Sequence, residues 1–494
     1  MSVHIRKIKN NNGTTFVQIE QRSGNKRLGL KHIGTAHNEN ELDLLCVLAY
    51  EKMHERQMSF DFIVKSDWPR SESEATLEKA YSELLWDTLK GVYASLGFDC
   101  LDDDTFCQLV LARIIEPSSK LDTIRILENL GLDAPSYSTI KRGLKCIVDD
   151  NYRDKVSNIC FGHCHPSSLT LVLYDVTTLY FETDEEDEYR IPGYSKERRL
   201  EPQITVGLLV NAEGYPLEVQ SFEGNKGEVK TIIPVLESFR QKHGLADITV
   251  TADAAMLSEK NIELLEELGY KYIIGSKLTK TPYGVKLSLE KGITPTDEQI
   301  FESPKMIIIK GKKVTRREIF QYKHKRAYRD LLNVDKALVK AQKYVSGKVS
   351  TKKNRYLKVG ADKPEIDWAL VEEVRERAGI KGYLTNLDIP PQQVIDYYHQ
   401  LHQVEKSFRM SKSDLKARPI FHRKKDSIEA HLTIVFTALA LSRYIESKSK
   451  MSIRRFVRTL EPIKTGIAST NGKMIKLKPK VTETISELLR KIRS

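Results

Sequence analysis

Leu169-Thr-Leu-Val-Leu-Tyr-Asp175-Val-Thr-Thr-Leu-Tyr-Phe181 is a run of aliphatic, β-branched and aromatic residues broken by one carboxylate. Such a run reads as a buried central strand. Asp175 interrupts it, and a carboxylate in a core strand is costly to bury unless something pairs with it, such as a metal ion. The plain alternative is a loop aspartate that caps the next element. Against it, β-favouring residues continue through Thr177, Thr178 and Tyr180 to Phe181, which keeps Asp175 within the strand.

Working outward, Ile204–Val210 and Pro216–Phe222 read as two further strands joined by the turn Asn211-Ala-Glu-Gly214. Lys230–Lys242 has the apolar spacing of a helix, with Ile232, Ile233, Val235, Leu236 and Phe239 facing inward. Ile248–Ala252 is another buried strand and runs straight into Asp253. A helix from Ser258 to Leu268 and a strand from Tyr270 to Gly275 follow. The expected topology is three antiparallel strands, then parallel strands reached by helical crossovers. Two aspartates at or just after strands of one sheet can approach within several ångströms. Carboxylates that close repel unless a divalent cation lies between them, and Mg2+ suits hard oxygen donors. A third carboxylate on a later helix would complete a two-metal site for in-line phosphoryl transfer.

That third group is found on a helix that begins at Pro390 and Pro391 and runs from Gln392 to about Met410; along Tyr397–Lys412, Tyr398, Leu401, Glu405 and Lys412 stand at offsets that share a helical face. Here the chain resembles the DDE transposases of bacterial insertion sequences, in particular the group with a Tyr-x2-Arg-x3-Glu-x6-Lys signature. Asp175 in YDVTTLYF, Asp253 in VTADAAMLS and the Tyr398/Glu405/Lys412 spacing carry the resemblance, as do the GYSKERR and GLLVNAEGYPLEVQSFEGN stretches. It covers about Leu169 to Ser447. It implies that Asp175, Asp253 and Glu405 are the catalytic triad and hold two Mg2+ (or Mn2+) ions. It implies that Tyr398 and Lys412 contact transposon-end phosphates or a displaced base. The signature Arg is Leu401 here, so that contact is lost or passes to a neighbour such as His402 or Arg409. The resemblance further implies an RNase H-like mixed sheet flanked by helices and interrupted by a β-rich basic insertion. Each group also has an ordinary reading: Asp253 as a helix N-cap, Glu405 as an exposed helix residue, Tyr398 as core.

Composition agrees with a polyanionic partner. Among 494 residues, 79 Lys and Arg stand against 67 Asp and Glu, giving a net charge of +12. Between Lys305 and Lys358 there are 18 Lys/Arg and 3 acids, with aromatic residues interleaved. A solvated charged face normally mixes signs, so this block, with Arg316 and Arg317, reads as a DNA contact. Gly193-Tyr-Ser-Lys196-Glu-Arg-Arg199 adds a second basic loop. Pro135–Lys145 offers a short helix after a glycine-containing turn, carrying Lys141, Arg142 and Lys145, in the manner of a helix-turn-helix. The six cysteines are sparse, as for reduced thiols, and Cys160-Phe-Gly-His163-Cys164-His165 lacks a second ligand pair for zinc. The tail stretch Gly466–Met474 misses the phosphate-loop spacing. No run of 18 apolar residues and no N-terminal signal core is evident.

The expected organisation is an N-terminal β-hairpin and helix module (1–65) and a helical DNA-binding domain (76–165). A split catalytic core (166–278 and 382–447) flanks the basic insertion (279–381), and a basic tail (448–494) follows. The expected function is binding of inverted-repeat ends, phosphodiester hydrolysis and strand transfer on double-stranded DNA. A homodimer in the synaptic complex and a cytoplasmic location in a bacterial or archaeal cell, without membrane attachment, go with it. The alternatives are a nuclease of the same fold that does not rejoin DNA, and a catalytically silent DNA-binding relic.

Overall fold

The structure, a computed structural model, describes residues 2–9, 14–23, 26–36, 41, 42, 45, 46, 48, 49, 76–164, 171–194, 200–245, 247–254, 258–347, 354–358, 365–470 and 473–493. It divides into two compact units, residues 1–73 and 74–494.

In the first unit, β1 (Ser2–Lys9), β2 (Thr15–Ser23) and β3 (Lys26–Ala36) form an antiparallel sheet in that order. Alternation along β2 turns Val17 and Ile19 inward, against Ile5, Ile33, Leu42, Leu45, Cys46 and Ala49. The expected hairpin therefore gains a third strand. The second turn is narrower than expected, since the strands run to Ser23 and restart at Lys26. The Asn10–Gly13 turn lies outside the described residues.

The second unit opens on β4 (Thr76–Tyr81), followed by α1 (Glu83–Ser95), α2 (Asp104–Ile115), α3 (Asp122–Asn129), α4 (Tyr137–Asp149) and α5 (Tyr152–His163). Leu77 and Tyr81 fall at the start of the segment expected to be a helical domain (76–165). They are in a strand because Thr76–Tyr81 pairs with β13 (Thr465–Thr470), which also pairs with β14 (Lys473–Leu477). A partner almost 400 residues away leaves no trace in local periodicity.

The central sheet has eight strands in the order β10-β11-β12-β9-β8-β5-β6-β7. Its first half is β5 (Leu171–Tyr180), β6 (Gln203–Asn211), β7 (Pro216–Glu223), β8 (Thr249–Ala252) and β9 (Lys271–Ser276). β5, β6 and β7 are antiparallel, while β8 and β9 run parallel to β5. α6 (Ile232–His243) and α7 (Glu259–Glu267) make the crossovers. This half follows the topology expected from the strand and helix order.

The basic segment departs from expectation. After α8 (Tyr283–Glu290), β10 (Ile300–Ile309) and β11 (Lys312–Tyr322) form a hairpin that extends the central sheet through β12 (Ile380–Thr385). Among the described residues that follow, two helices, α9 (His324–Val345) and α10 (Trp368–Glu376), flank a single β-bridge between Leu357 and Ile366. The expected single helix at 390–410 is divided into α11 (Pro391–His399) and α12 (His402–Ser413), with a turn at Gln400 and Leu401.

α13 (Lys425–Ser449) is buried on every side, as expected of a core helix apolar all round. It is long and apolar enough to cross a membrane, but 89% of its apolar window is inside the protein. It packs against α1, α2, α4, α5, α12, β7, α14 (Ile453–Leu460) and α15 (Glu483–Arg493). One apolar cluster thus joins the N-terminal helices, one face of the central sheet and the C-terminal helices. A second lies on the opposite face beneath α6 and α7.

Candidate active site

Strand alternation decides where the aspartates point. Val172, Tyr174 and Val176 of β5 enter the core beneath α6 and α7, while Leu171, Leu173 and Leu179 enter the core containing α12 and α13. Asp175 has the parity of the second set and faces α12. In the parallel ladder Leu173 pairs with Thr251 and Tyr174 with Ala252, so Asp253 follows β8 at the level of Asp175. Neighbouring strands lie about 4.8 Å apart. Asp253 thus leaves β8 beside the stretch of β5 that carries Asp175, which is half-buried while Asp253 is exposed.

α12 packs across β5 and β6. Glu405, Phe408, Arg409 and Lys412 lie on one of its faces and line a cleft of about 460 Å³ together with Asp175, Thr177, Thr178, Tyr194, Glu228 and Arg418. Asp175 and Glu405 thus share one cleft with the cations of Arg409, Lys412 and Arg418. Among the described residues no three His, Cys, Asp or Glu side chains already stand close enough to enclose a metal ion. Carboxylate oxygens are nonetheless the donors a hard cation prefers, and Mg2+ needs only one or two of them because it keeps several waters. By donor chemistry, Asp175, Asp253 and Glu405 fit such an ion.

Tyr398 stands elsewhere than expected. It is 3% exposed, and its hydroxyl donates to Asp253 Oδ1 at 3.0 Å. The same oxygen accepts the Ala254 N–H at 2.7 Å. Burial, reinforced by the negative charge of Asp253, raises the Tyr398 phenol well above its ordinary range and keeps it a donor. The phenol therefore orients a carboxylate and does not face solvent. Gly275 of β9 makes room for it: a Cβ there would lie 2.6 Å from the Tyr398 hydroxyl. Leu401, in the place of the signature Arg, is 6% exposed and belongs to the core. Of its two proposed substitutes, Arg409 lines the cleft, whereas His402 is exposed with Nδ1 at 2.6 Å from the His399 carbonyl.

The basic block requires a correction. Arg316 makes a two-pronged pair with Glu266, at 2.6 and 2.7 Å. Arg317 pairs with Glu302 at 2.6 Å and donates to the Leu387 and Ile389 carbonyls. Both brace the sheet, because the strand that carries them lies against the acidic side chains of α7 and β10. At the start of α9, Lys323, Lys325, Arg326 and Arg329 line a cleft with Lys381 whose described lining includes no acid, although Lys323 and Arg326 reach Glu298 and Asp330 at 3.7 and 3.6 Å. Lys141, Arg142 and Lys145 are exposed on α4. Lys196 lies outside the described residues.

Three cleft groups escaped the sequence reading. Glu228 opens a one-turn 3-10 helix (Glu228–Lys230) and Arg418 sits in an irregular segment, both too short to carry a periodic signal. Lys381 could have been found, since it is a charge inside the apolar strand β12, the same anomaly that marked Asp175. Its ammonium lies 4.2 Å from the centre of the Tyr398 ring. Burial lowers its pKa, with Arg326 adding to that effect and the charges of Asp253 and Glu405 opposing it.

No curated protein matches this chain. Among solved structures, one similar fold is the cryo-EM structure of a piggyBac transposase synaptic complex with hairpin DNA. It is 11% identical, with 77% of this chain and 70% of that chain covered and a TM-score of 0.36. The family model of the transposase DDE domain matches residues 166–441, a segment that opens just before the strand of Asp175 and runs past Glu405 into α13. Since that match takes in more than half of the sequence, the chain belongs to the family of transposases with a DDE domain.

Proposed function

We propose that the protein binds the inverted-repeat ends of an insertion sequence, hydrolyses a phosphodiester to expose a 3′-OH and transfers that 3′-OH into target DNA. The observation that carries this reading is that Asp175 and Asp253 each come one residue after the Tyr174–Ala252 pair of two neighbouring parallel strands, with Glu405 in the same cleft as Asp175. Asp175, Asp253 and Glu405 would hold two Mg2+ (or Mn2+) ions on an RNase H-like core. When bound, the ions would supply activation of the attacking oxygen and stabilisation of the leaving oxygen. Tyr398 fixes the Asp253 carboxylate. Arg409, Lys412 and Arg418 give the cleft the positive wall that a phosphodiester needs. Lys141, Arg142 and Lys145 would meet the DNA from the α4 surface, as would Lys196 and the cations at the start of α9. Joining two ends calls for at least a dimer on DNA, in the cytoplasm of a bacterial or archaeal cell.

The test is cleavage of a duplex taken from the flanks of the coding region, with Mg2+ or Mn2+, by the unaltered protein and by Asp175→Ala. Nicking at the element boundary by the first, and binding without nicking by the second, supports the reading. Cleavage without joining to a target would make it a nuclease. Binding without cleavage by either protein in both metals would make it a silent DNA-binding relic.

A further inference from the structure

Beside the catalytic cleft lies a second cavity of about 430 Å³ whose wall is cationic and nearly free of acids. Arg113 at the end of α2, Lys120 in the loop before α3, Lys416 and Arg418 after α12, and His422 and His431 line it. Arg113 and Lys120 are each only 7% exposed. Among the described residues, neither makes an ion pair or a hydrogen bond. The acids nearest in sequence, Glu116 and Asp122, are both turned to Arg125, at 2.8 and 2.9 Å. His431 offers no charge relief, since one ring nitrogen lies 3.2 Å from the Ala417 carbonyl and the other is buried without a partner.

Two buried cations without an anion are a costly arrangement, and proteins tolerate it where a ligand supplies the missing charge. The cavity is too polar for an apolar guest. Ser118 and Ser119 stand among the cations, so tetrahedral oxygens would find both charge and hydroxyl donors. Arg418 lines both this cavity and the cleft of Asp175 and Glu405, so the two are contiguous. The rim carries Tyr137 and Phe421, 43% and 71% exposed, aromatic surface suited to a nucleotide.

We propose that this cavity is a phosphate site, occupied in the DNA complex by a backbone phosphate of the strand that leaves the catalytic cleft past Arg418. The DNA source rests on the transposase reading; the phosphate site does not. The test is thermal unfolding of the full chain in inorganic phosphate and in chloride at matched ionic strength, without metal. Phosphate should raise Tm by about 2 °C or more over chloride, because it binds only the folded state. Lys120→Met should remove most of that rise, and Lys120→Arg should keep it. Equal phosphate responses in the unaltered protein and Lys120→Met would overturn the site. With saturating duplex the phosphate response should vanish, and Lys120→Met should reduce the salt dependence of DNA binding by about one counterion. A phosphate response that persists in the duplex complex would overturn the DNA source and leave free phosphate as the ligand. Asp175→Ala should respond to phosphate as the unaltered protein does. A protein that binds phosphate here yet never cuts DNA would sink the transposase reading and spare the site.

Discussion

Replacing Tyr398 by Phe deletes one hydroxyl and keeps the ring, which packs edge-on against Tyr383 at 4.9 Å and beneath the Lys381 ammonium. Folding should change little. What is lost is the 3.0 Å donation to Asp253 Oδ1. A hydrogen bond to a charged acceptor contributes about 1.5–3 kcal/mol. If the whole of it serves to hold Asp253 level with Asp175, the chemical step slows by about tenfold to about a hundredfold. Single-turnover cleavage of a labelled end duplex, with protein saturating, isolates that step, and a gel shift reports binding separately. The expected result is a slower step, a higher Mg2+ requirement and unchanged DNA affinity. Gly275→Ala should reproduce it from the other side, since the new methyl would displace the same hydroxyl. A defect restored by raising the protein concentration would refute the argument and return Tyr398 to the phosphate contact that the family resemblance implies.

Arg316→Met leaves Glu266, 9% exposed, without its cation and with Tyr272 as its remaining hydroxyl donor at 2.9 Å. Stability measured by denaturant should fall by about 3 kcal/mol while DNA affinity stays put; the opposite pattern would restore Arg316 to the DNA surface. His422 faces Lys120, Arg113 and His431, and its pKa is lowered to about 4, first by burial and then by the charges of Lys120 and Arg113. The unfolded histidine takes up its proton near pH 6.5, so His422 contributes stability that is complete above that pH and lost as pH falls toward about 4. The loss in phosphate-free buffer is about 3 kcal/mol at most, and His422→Gln should flatten the pH dependence of Tm in that window; an unchanged slope would contradict it.

How much of this was legible beforehand follows from the range of each signal. The strand–helix alternation from Leu171 to Ser276 is local, so the order, direction and apolar faces of these elements could be read directly. The two aspartates stood out because a carboxylate within a buried run, or directly after one, breaks a pattern. The site's other features depend on contacts between distant segments. Tyr398 meets Asp253 across 145 residues, and its helical offset from Glu405 said nothing about which way the phenol turns. Arg316 and Arg317 belong to a basic run by composition, yet their acidic partners come from Glu266 and Glu302, whose approach is set by the pairing of β10 and β11 against the sheet. The cationic cavity joins α2, the loop at 117–121 and a segment some 300 residues later. The sequence by itself determined which residue types recur with which period, and hence the core strands and the candidate carboxylates. Tertiary structure alone decided which charges are neutralised, because pairing and desolvation depend on what is brought within a few ångströms and not on what lies next along the chain.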